Sequence, residues 1–312
     1  MANRALVIGG QGFIGFNVVM SLFNDGWNVK VLDRNINSKF NELSVKTIVG
    51  HVQDKDTLRL ALRDVDVVFY FISHSLPSSS RGNLNYELQN SLIALDNVLE
   101  TMVDLNVKKI VFPSSGGTVY GNVEDQNATE STELNPFSSY GQGKLLSEEI
   151  IKFYSRVHNI EYLILRISNI YGCQFYRKVE QGAVDIFIQN ILDNKPITIW
   201  SGAENAIRDY IFIDDFCDAL IALLNRRKYG IYNIGTGEGK KLTDIIEVIE
   251  KILKKEAIIV RNNNYSGISK NVLDISKIIK DCAWQPKFSL EEGITKTIKR
   301  KKENYNEISR IY

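Results

Sequence analysis

Seven residues, Gly9-Gly10-Gln11-Gly12-Phe13-Ile14-Gly15, lie between an apolar run, Arg4–Ile8, and a helix-like stretch, 13–25. A glycine cluster joining a strand to a helix admits few folds. Gly9 permits a tight turn, Gly12 lets a ligand's phosphates approach the backbone, and Gly15 lets the helix pack close to the strand. The N–H groups at the start of the helix, together with its dipole, favour an anion there. The spacing is G-x-x-G-x-x-G, and its weight comes from the strand–turn–helix context.

The rest of the first half repeats this alternation. Strand-like runs fall at 28–32, 45–49, 65–72, 109–112 and 161–167, and helix-like stretches at 55–62, 83–105 and 138–157. Strands alternating with helices predict parallel βαβ units, and continuous apolar runs such as Val67–Ile72 predict strands buried on both faces. After about Gly172 the loops lengthen. Strands are expected at 198–200, 210–213, 229–234 and 257–260, and helices at 184–193, 214–224, 243–253 and 290–302. This predicts a smaller second lobe, with the chain crossing back to the first at least once. The second strand ends in Asp33, whose carboxylate suits both adenosine ribose hydroxyls of NAD and repels the 2′-phosphate of NADP; Arg34 beside it weakens that repulsion.

Composition removes several classes. Lys and Arg number 38 against 37 Asp and Glu, a net charge of +1 over 312 residues, which argues against nucleic acid or an acidic membrane as partner. No apolar stretch is long enough to span a bilayer. The opening residues run directly into a strand pattern, so no signal peptide is expected. The three cysteines, Cys173, Cys217 and Cys282, are too few and too scattered for a disulfide framework, and a reducing, cytoplasmic compartment is expected. His51, His74 and His158 have no metal-ligand spacing among themselves or with the cysteines, so no metal is expected. There is no G-x-S-x-G hydrolase elbow.

A second constellation is Tyr140-Gly141-Gln142-Gly143-Lys144. At i and i+4 on a helix, the phenol and the ammonium share a face. A free tyrosine is a poor base at neutral pH, and two adjacent cations, the ammonium and the positive nicotinamide of NAD, are expected to lower its pKa.

With these motifs in place, the chain resembles the extended short-chain dehydrogenases/reductases, in the sugar-nucleotide epimerase/dehydratase group. The resemblance covers essentially all 312 residues. It rests on Gly9–Gly15, Asp33, Ser114–Gly121, Tyr140–Lys144, Arg166–Gly172, Arg208-Asp209-Tyr210, Tyr232–Gly235 and Asp274–Lys277. It implies a Rossmann-type doubly wound parallel α/β sheet with a smaller C-terminal α/β substrate lobe. Residues 1–172 would bind NAD and 173–312 mainly the substrate, with a return to the first lobe around 205–235.

The resemblance also implies roles. Tyr140 would be the base, Lys144 its cation, and Ser115 the hydroxyl that orients the reacting sugar. An ungapped alignment from Val119-Tyr120-Gly121 lands on Gly116, whereas alignment from the preceding strand or from Tyr140 lands on Ser115; Thr118 is a second candidate donor. NAD would contact Gly9, Gly12, Phe13, Ile14, Gly15, Asp33, Arg34, His51, Val52, Phe71, Ser73, Asn90, Tyr140, Lys144 and Ile170. A nucleotide-diphosphate sugar would meet Ser115, Asn169 and Arg208. The family's dehydratases carry Thr-Asp-Glu where this chain has no carboxylate between Pro113 and Tyr120, which disfavours water loss.

Other positions depart from the family. The fourth strand ends Phe71-Ile72-Ser73-His74, and His51-Val52 stands where relatives place an Asp toward the adenine. Asn264 and Gly267 replace an Arg and an Asp that would hold diphosphate and ribose, with Arg261 or Lys270 as substitutes. The activity expected is an NAD-dependent nucleotide-sugar 4-epimerase working through a transient 4-keto sugar, on a UDP-hexose or UDP-N-acetylhexosamine. A reductase of a nucleotide-linked 4-keto-6-deoxy sugar is the alternative, and a non-catalytic dinucleotide sensor the remote one. Relatives often form homodimers through two helices, here 83–105 and 138–157.

Overall fold

The computed structural model describes residues 3–35, 38–43, 45–73, 84–172, 182–200, 202–262 and 267–311, with side chains at 38–39 and 304–311 set aside. His74, Cys173 and Asn264 lie outside the described residues.

The order of elements is β1 (Arg4–Ile8), α1 (Phe13–Asn24), β2 (Asn28–Asp33), α2 (Ser38–Glu42), β3 (Lys46–Val49), α3 (Lys55–Leu62), β4 (Val67–Tyr70) and α4 (Leu84–Glu87). A π-turn (Leu88–Leu92) then leads into α5 (Ile93–Asp104), β5 (Lys109–Ser115), α6 (Gly116–Val119), α7 (Ser139–His158), β6 (Glu161–Ile167) and β7 (Asn169–Tyr171). Next come α8 (Ala183–Leu192), β8 (Ile197–Trp200), β9 (Ile207–Phe212), α9 (Ile213–Asn225), β10 (Gly230–Ile234), β11 (Gly239–Lys241) and α10 (Leu242–Leu253). The last are β12 (Ile259–Asn262), β13 (Lys270–Asn271), α11 (Ser276–Cys282) and α12 (Leu290–Ile311).

Seven strands form one parallel sheet in the order β10-β6-β5-β4-β1-β2-β3. Both faces are covered, and the strand sequences show why. Along β1, Ala5 and Val7 enter one apolar core while Leu6 and Ile8 enter the other. Along β4, Val67 and Phe69 alternate with Val68 and Tyr70 in the same way. Period-two alternation with apolar residues on both faces leaves no solvent side, so helices must pack on each. Helices α3 and α5 close one face, and α1 and α9 the other.

The strand order reverses between β1 and β4, and a ligand crevice is expected there, beyond the carboxyl ends of the strands. The smaller sheet is built around β9, with β11 antiparallel to it and β13 and β7 parallel; β8 and β12 form a separate pair. The chain then returns to the large sheet, where Gly230–Ile234 of β10 registers with Leu163–Ile167 of β6. The stretch 83–105, expected as one helix, is interrupted by the π-turn, in which the Ile93 N–H reaches the Leu88 carbonyl five residues back.

Candidate active site

The glycine cluster folds as a phosphate-ready turn. The Gly9 N–H donates to the Leu32 carbonyl at 2.9 Å and the Gly12 N–H to the Gly9 carbonyl at 3.1 Å, tying β1, β2 and α1 together. Gly9 has φ +80°, and a Cβ there would stand 2.9 Å from the Phe71 backbone. A Cβ on Gly15 would stand 2.2 Å from the Gly9 oxygen, so the helix can approach the turn only as glycine. The N-cap, Gly12, offers no side-chain acceptor, and no acidic residue occupies the first turn of α1. Its leading N–H groups therefore remain available to an anion.

A cleft opens beside this turn, lined by Gly9, Gly12, Asp33, Arg34, Gly50, His51, Val52, Phe71, Ile72 and Ser73. The Asp33 carboxylate is fixed by backbone N–H groups, from Gln11 at 3.0 Å on one oxygen and Arg34 at 2.7 Å on the other. Each oxygen keeps accepting capacity. His51 Nδ1 accepts from the Gln53 N–H at 3.3 Å. The side-chain-free cradle, the open helix terminus and the anchored carboxylate fit a dinucleotide. Of the remaining nominated positions, Phe13 and Ile14 open α1 and pack on the core, as does Ile170 from β7. The Asn90 amide, in the π-turn, donates to the Tyr86 carbonyl at 2.9 Å.

The second cluster forms where β5 meets α7. Ser138 caps α7 by accepting from the Gly141 N–H at 3.1 Å, which sets Tyr140 and Lys144 on one face of the first turns. The Lys144 Nζ donates to the Pro113 carbonyl at 2.7 Å and sits 5.7 Å from the centroid of the Tyr140 ring. Ser115, at the end of β5, is near enough to the Tyr140 phenol to favour its ionised form.

The electrostatics differ from the sequence-based expectation. Burial pushes the Tyr140 phenol up to about 12, with the charge of Glu87 adding to the rise and Ser115 opposing it. Burial pulls the Lys144 ammonium down to about 8, against Glu87 and Glu148. Desolvation of the phenolate and the charge of Glu87 thus outweigh the influence of Ser115. The carboxylate of Glu87, from α4, escaped the sequence reading. Two glycines inside a helix, each costing about 1 kcal/mol against alanine, were the available signal, since they mark close approach. A Cβ on Gly143 would stand 3.0 Å from Glu87 Oε2.

Gly116 points away from this cluster: a Cβ there would meet the Arg166 carbonyl at 3.0 Å and Leu273 at 2.8 Å. A side chain at 116 has no room, whereas Ser115 faces the phenol. Thr118 Oγ1 lies 3.4 Å from the Ser115 carbonyl oxygen. Asn169 stands 3.6 Å from where a Gly117 Cβ would lie, and its amide donates to the Asp209 carbonyl at 2.9 Å. Arg208, half-buried on β9, donates to the carbonyls of Ile207 at 2.9 Å and of Ile268. Lys270 donates to the Glu124 carbonyl at 2.7 Å, while Arg261 is exposed on β12.

Several motif residues serve the frame instead. Arg166 grips both oxygens of the fully buried Glu148 at 3.1 and 2.7 Å and donates to the Tyr120 hydroxyl at 3.0 Å. Ser114 also donates to Glu148, at 2.5 Å, and Tyr120 to Asn233 at 2.6 Å. Asp209 gathers the N–H groups of Thr236, Gly237 and Leu273.

The family model for the NAD dependent epimerase/dehydratase family matches residues 5–235. The chain belongs to that family. Among known proteins, the chain is 33% identical over 303 residues to a Methanocaldococcus jannaschii protein named provisionally as a UDP-glucose 4-epimerase, covering 96% of this chain and 98% of that one. It is 30% identical to a dTDP-4-dehydro-6-deoxyglucose reductase of Escherichia coli, with 95% and 97% covered. The Thermus thermophilus UDP-glucose 4-epimerase, solved in complex with NAD, superposes with a TM-score of 0.87 at 29% identity, over 95% of this chain and 98% of that one. Among the described residues, no helix is long and apolar enough to cross a membrane.

Proposed function

We propose that this protein is an NAD-dependent nucleotide-sugar 4-epimerase, and that Tyr140, Lys144 and Ser115 carry its chemistry. The observation that carries the reading is the Lys144 ammonium 5.7 Å from the centroid of the Tyr140 ring, with Ser115 beside the phenol at the end of β5. NAD, bound across Gly9, Gly12 and Asp33, supplies the reversible acceptor for the hydride at the sugar C4.

Tyr140 acts as phenolate, a form that the positive nicotinamide of bound NAD would favour together with Lys144. It takes the proton of the C4 hydroxyl as hydride leaves C4. The 4-keto sugar turns over, hydride re-enters the other face of C4, and Tyr140 returns the proton to the C4 oxygen. Ser115, with Thr118 behind it, orients that hydroxyl. The positive charge of Lys144 favours the phenolate form in which Tyr140 accepts that proton. Asn169 and Arg208 face the sugar nucleotide; a guanidinium released from its two carbonyl partners can clamp two phosphate oxygens at once. Residues 173–312 are taken as mainly the substrate lobe.

The same reading takes the protein as a cytoplasmic homodimer. Leu88, Ile93, Phe153 and Val157, on helical segments that relatives are expected to pair, present large apolar surface to solvent. Light scattering of the purified protein tests the dimer.

The test of activity is incubation with UDP-glucose, UDP-N-acetylglucosamine and dTDP-glucose without added cofactor. Formation of the C4 epimer supports the reading. The likeness to the dTDP-4-dehydro-6-deoxyglucose reductase keeps a second reading in play. Turnover of a 4-keto sugar only when reduced nicotinamide is added would replace the epimerase by that reductase.

A further inference from the structure

Lys144 is 9% exposed, and its ammonium donates to one neutral acceptor, the Pro113 carbonyl. A buried cation is costly unless an opposite charge faces it. Two carboxylates act on it from beyond ion-pair distance. Glu148, on the same helix, is already engaged by Arg166 from β6 and by Ser114, with Lys152 a further 3.9 Å contact. Glu87 enters from α4 and is 3% exposed; its partner among the described residues is the Ser91 hydroxyl in the π-turn, at 2.9 Å. Gly143, next in sequence to Lys144, has no Cβ and so leaves room for this carboxylate.

The other elements packed on α7 bring no competing anion to this spot. The α5 carboxylate Asp96 is engaged by Tyr154 further along α7 at 2.8 Å, and the site end of β5 and α6 bring the hydroxyls of Ser115 and Thr118. Resting on the reading of Tyr140 and Lys144 as the reacting pair, we propose that Glu87 is the counter-charge of Lys144, a positioning residue that holds the ammonium charged beside Tyr140. Glu148 is neutralised by Arg166, whereas Glu87 has no cation within ion-pair distance among the described residues. The shifts agree: against the burial that draws Lys144 down to about 8, Glu87 is the larger opposing influence and Glu148 the smaller. The same charge raises the Tyr140 phenol, so removing it moves both groups in one direction.

The experiment titrates Lys144 by NMR of 13Cε-lysine-labelled protein as purified, with its signal assigned by its loss in Lys144→Arg. In Glu87→Gln the midpoint is expected to fall by about one pH unit, while Glu87→Asp stays near the wild type. The alkaline limb of kcat/KM for UDP-glucose is expected to move to lower pH by the same amount. An unshifted Lys144 midpoint in folded Glu87→Gln overturns the proposal. If that variant does not fold, Ser91→Ala, which frees the carboxylate from its anchor, is read instead: a lowered midpoint supports the role and an unchanged one overturns it. Absence of wild-type turnover would sink the epimerase reading while leaving the NMR midpoint to decide the role of Glu87.

Discussion

The Lys144 ammonium lies 5.7 Å from the centroid of the Tyr140 ring and is pinned there by the Pro113 carbonyl, an acceptor on the neighbouring strand. The relationship is set by the backbone: β5 supplies the acceptor, and the Ser138 cap fixes where α7 begins. The phenol and the ammonium therefore share one frame set by β5 and α7.

Tyr140→Phe removes the proton acceptor and little else, since the ring stays. General base catalysis is worth about 10²–10⁴-fold, and kcat is expected to fall at least that far with NAD affinity retained. Fluorescence titration of NAD beside steady-state kinetics checks this; near-full turnover would show that the base lies elsewhere. Lys144→Ala is expected to weaken both NAD affinity and rate.

Asp33 does two jobs, since its oxygens accept from Gln11 and Arg34 while facing the cleft. Asp33→Ala is expected to weaken NAD by roughly ten- to a hundredfold, the worth of hydrogen bonds to a charged group, and to weaken NADP less. Isothermal titration with both nucleotides decides the matter, and equal losses would remove the ribose assignment.

What could be read from the chain follows from where its signals are local. The strands β1, β4, β5 and β6 announce themselves because parallel strands buried on both faces are largely continuous apolar runs, whereas β3 lies at the sheet edge with Lys46 and Val49 exposed. The glycine turn is legible because its steric demands fall on three residues close in sequence. By contrast β7, β11 and β13 are two or three residues long and exist through pairing with β9, a contact between distant segments. Glu87 lies 57 positions before Lys144, and no local pattern links the two. The desolvation that raises the Tyr140 phenol is hidden from the sequence for a related reason, since it comes from the packed tertiary structure.

Glu148 and Arg166 form a buried bidentate pair beneath the site, with exposures of 0% and 2%. Arg166→Leu leaves an uncompensated carboxylate, and such losses cost about 3–5 kcal/mol. Urea unfolding is expected to show that loss, and Glu148→Gln a comparable one. The double variant is expected to lose less than the two singles combined, because each single strands the other's charge. Strict additivity would show that the two side chains do not act as a pair.

Asp185 on α8 gives the fold a pH dependence of unusual sign. Burial pushes its carboxyl up to about 6, against Lys301 at 3.9 Å and the Gly172 N–H at 3.1 Å, which pull it down. In the unfolded chain an aspartate titrates near 3.9. Between about pH 4 and 6 the native state therefore holds a proton that the unfolded state has released. Stability must then fall as pH rises through that window, by an amount on the order of 2–3 kcal/mol. Ordinary paired carboxylates, whose folded pKa is depressed, lose stability in the opposite direction. Asp185→Asn keeps an oxygen for the Gly172 N–H and abolishes the titration, at the expense of leaving Lys301 without its partner. Wild type minus variant stability, measured by denaturant unfolding at pH 4, 5, 6 and 7, is expected to decline from pH 4 to 6 and then level off. A difference that is flat, or that rises with pH, would mean that the Lys301 charge governs this carboxyl more strongly than its burial does.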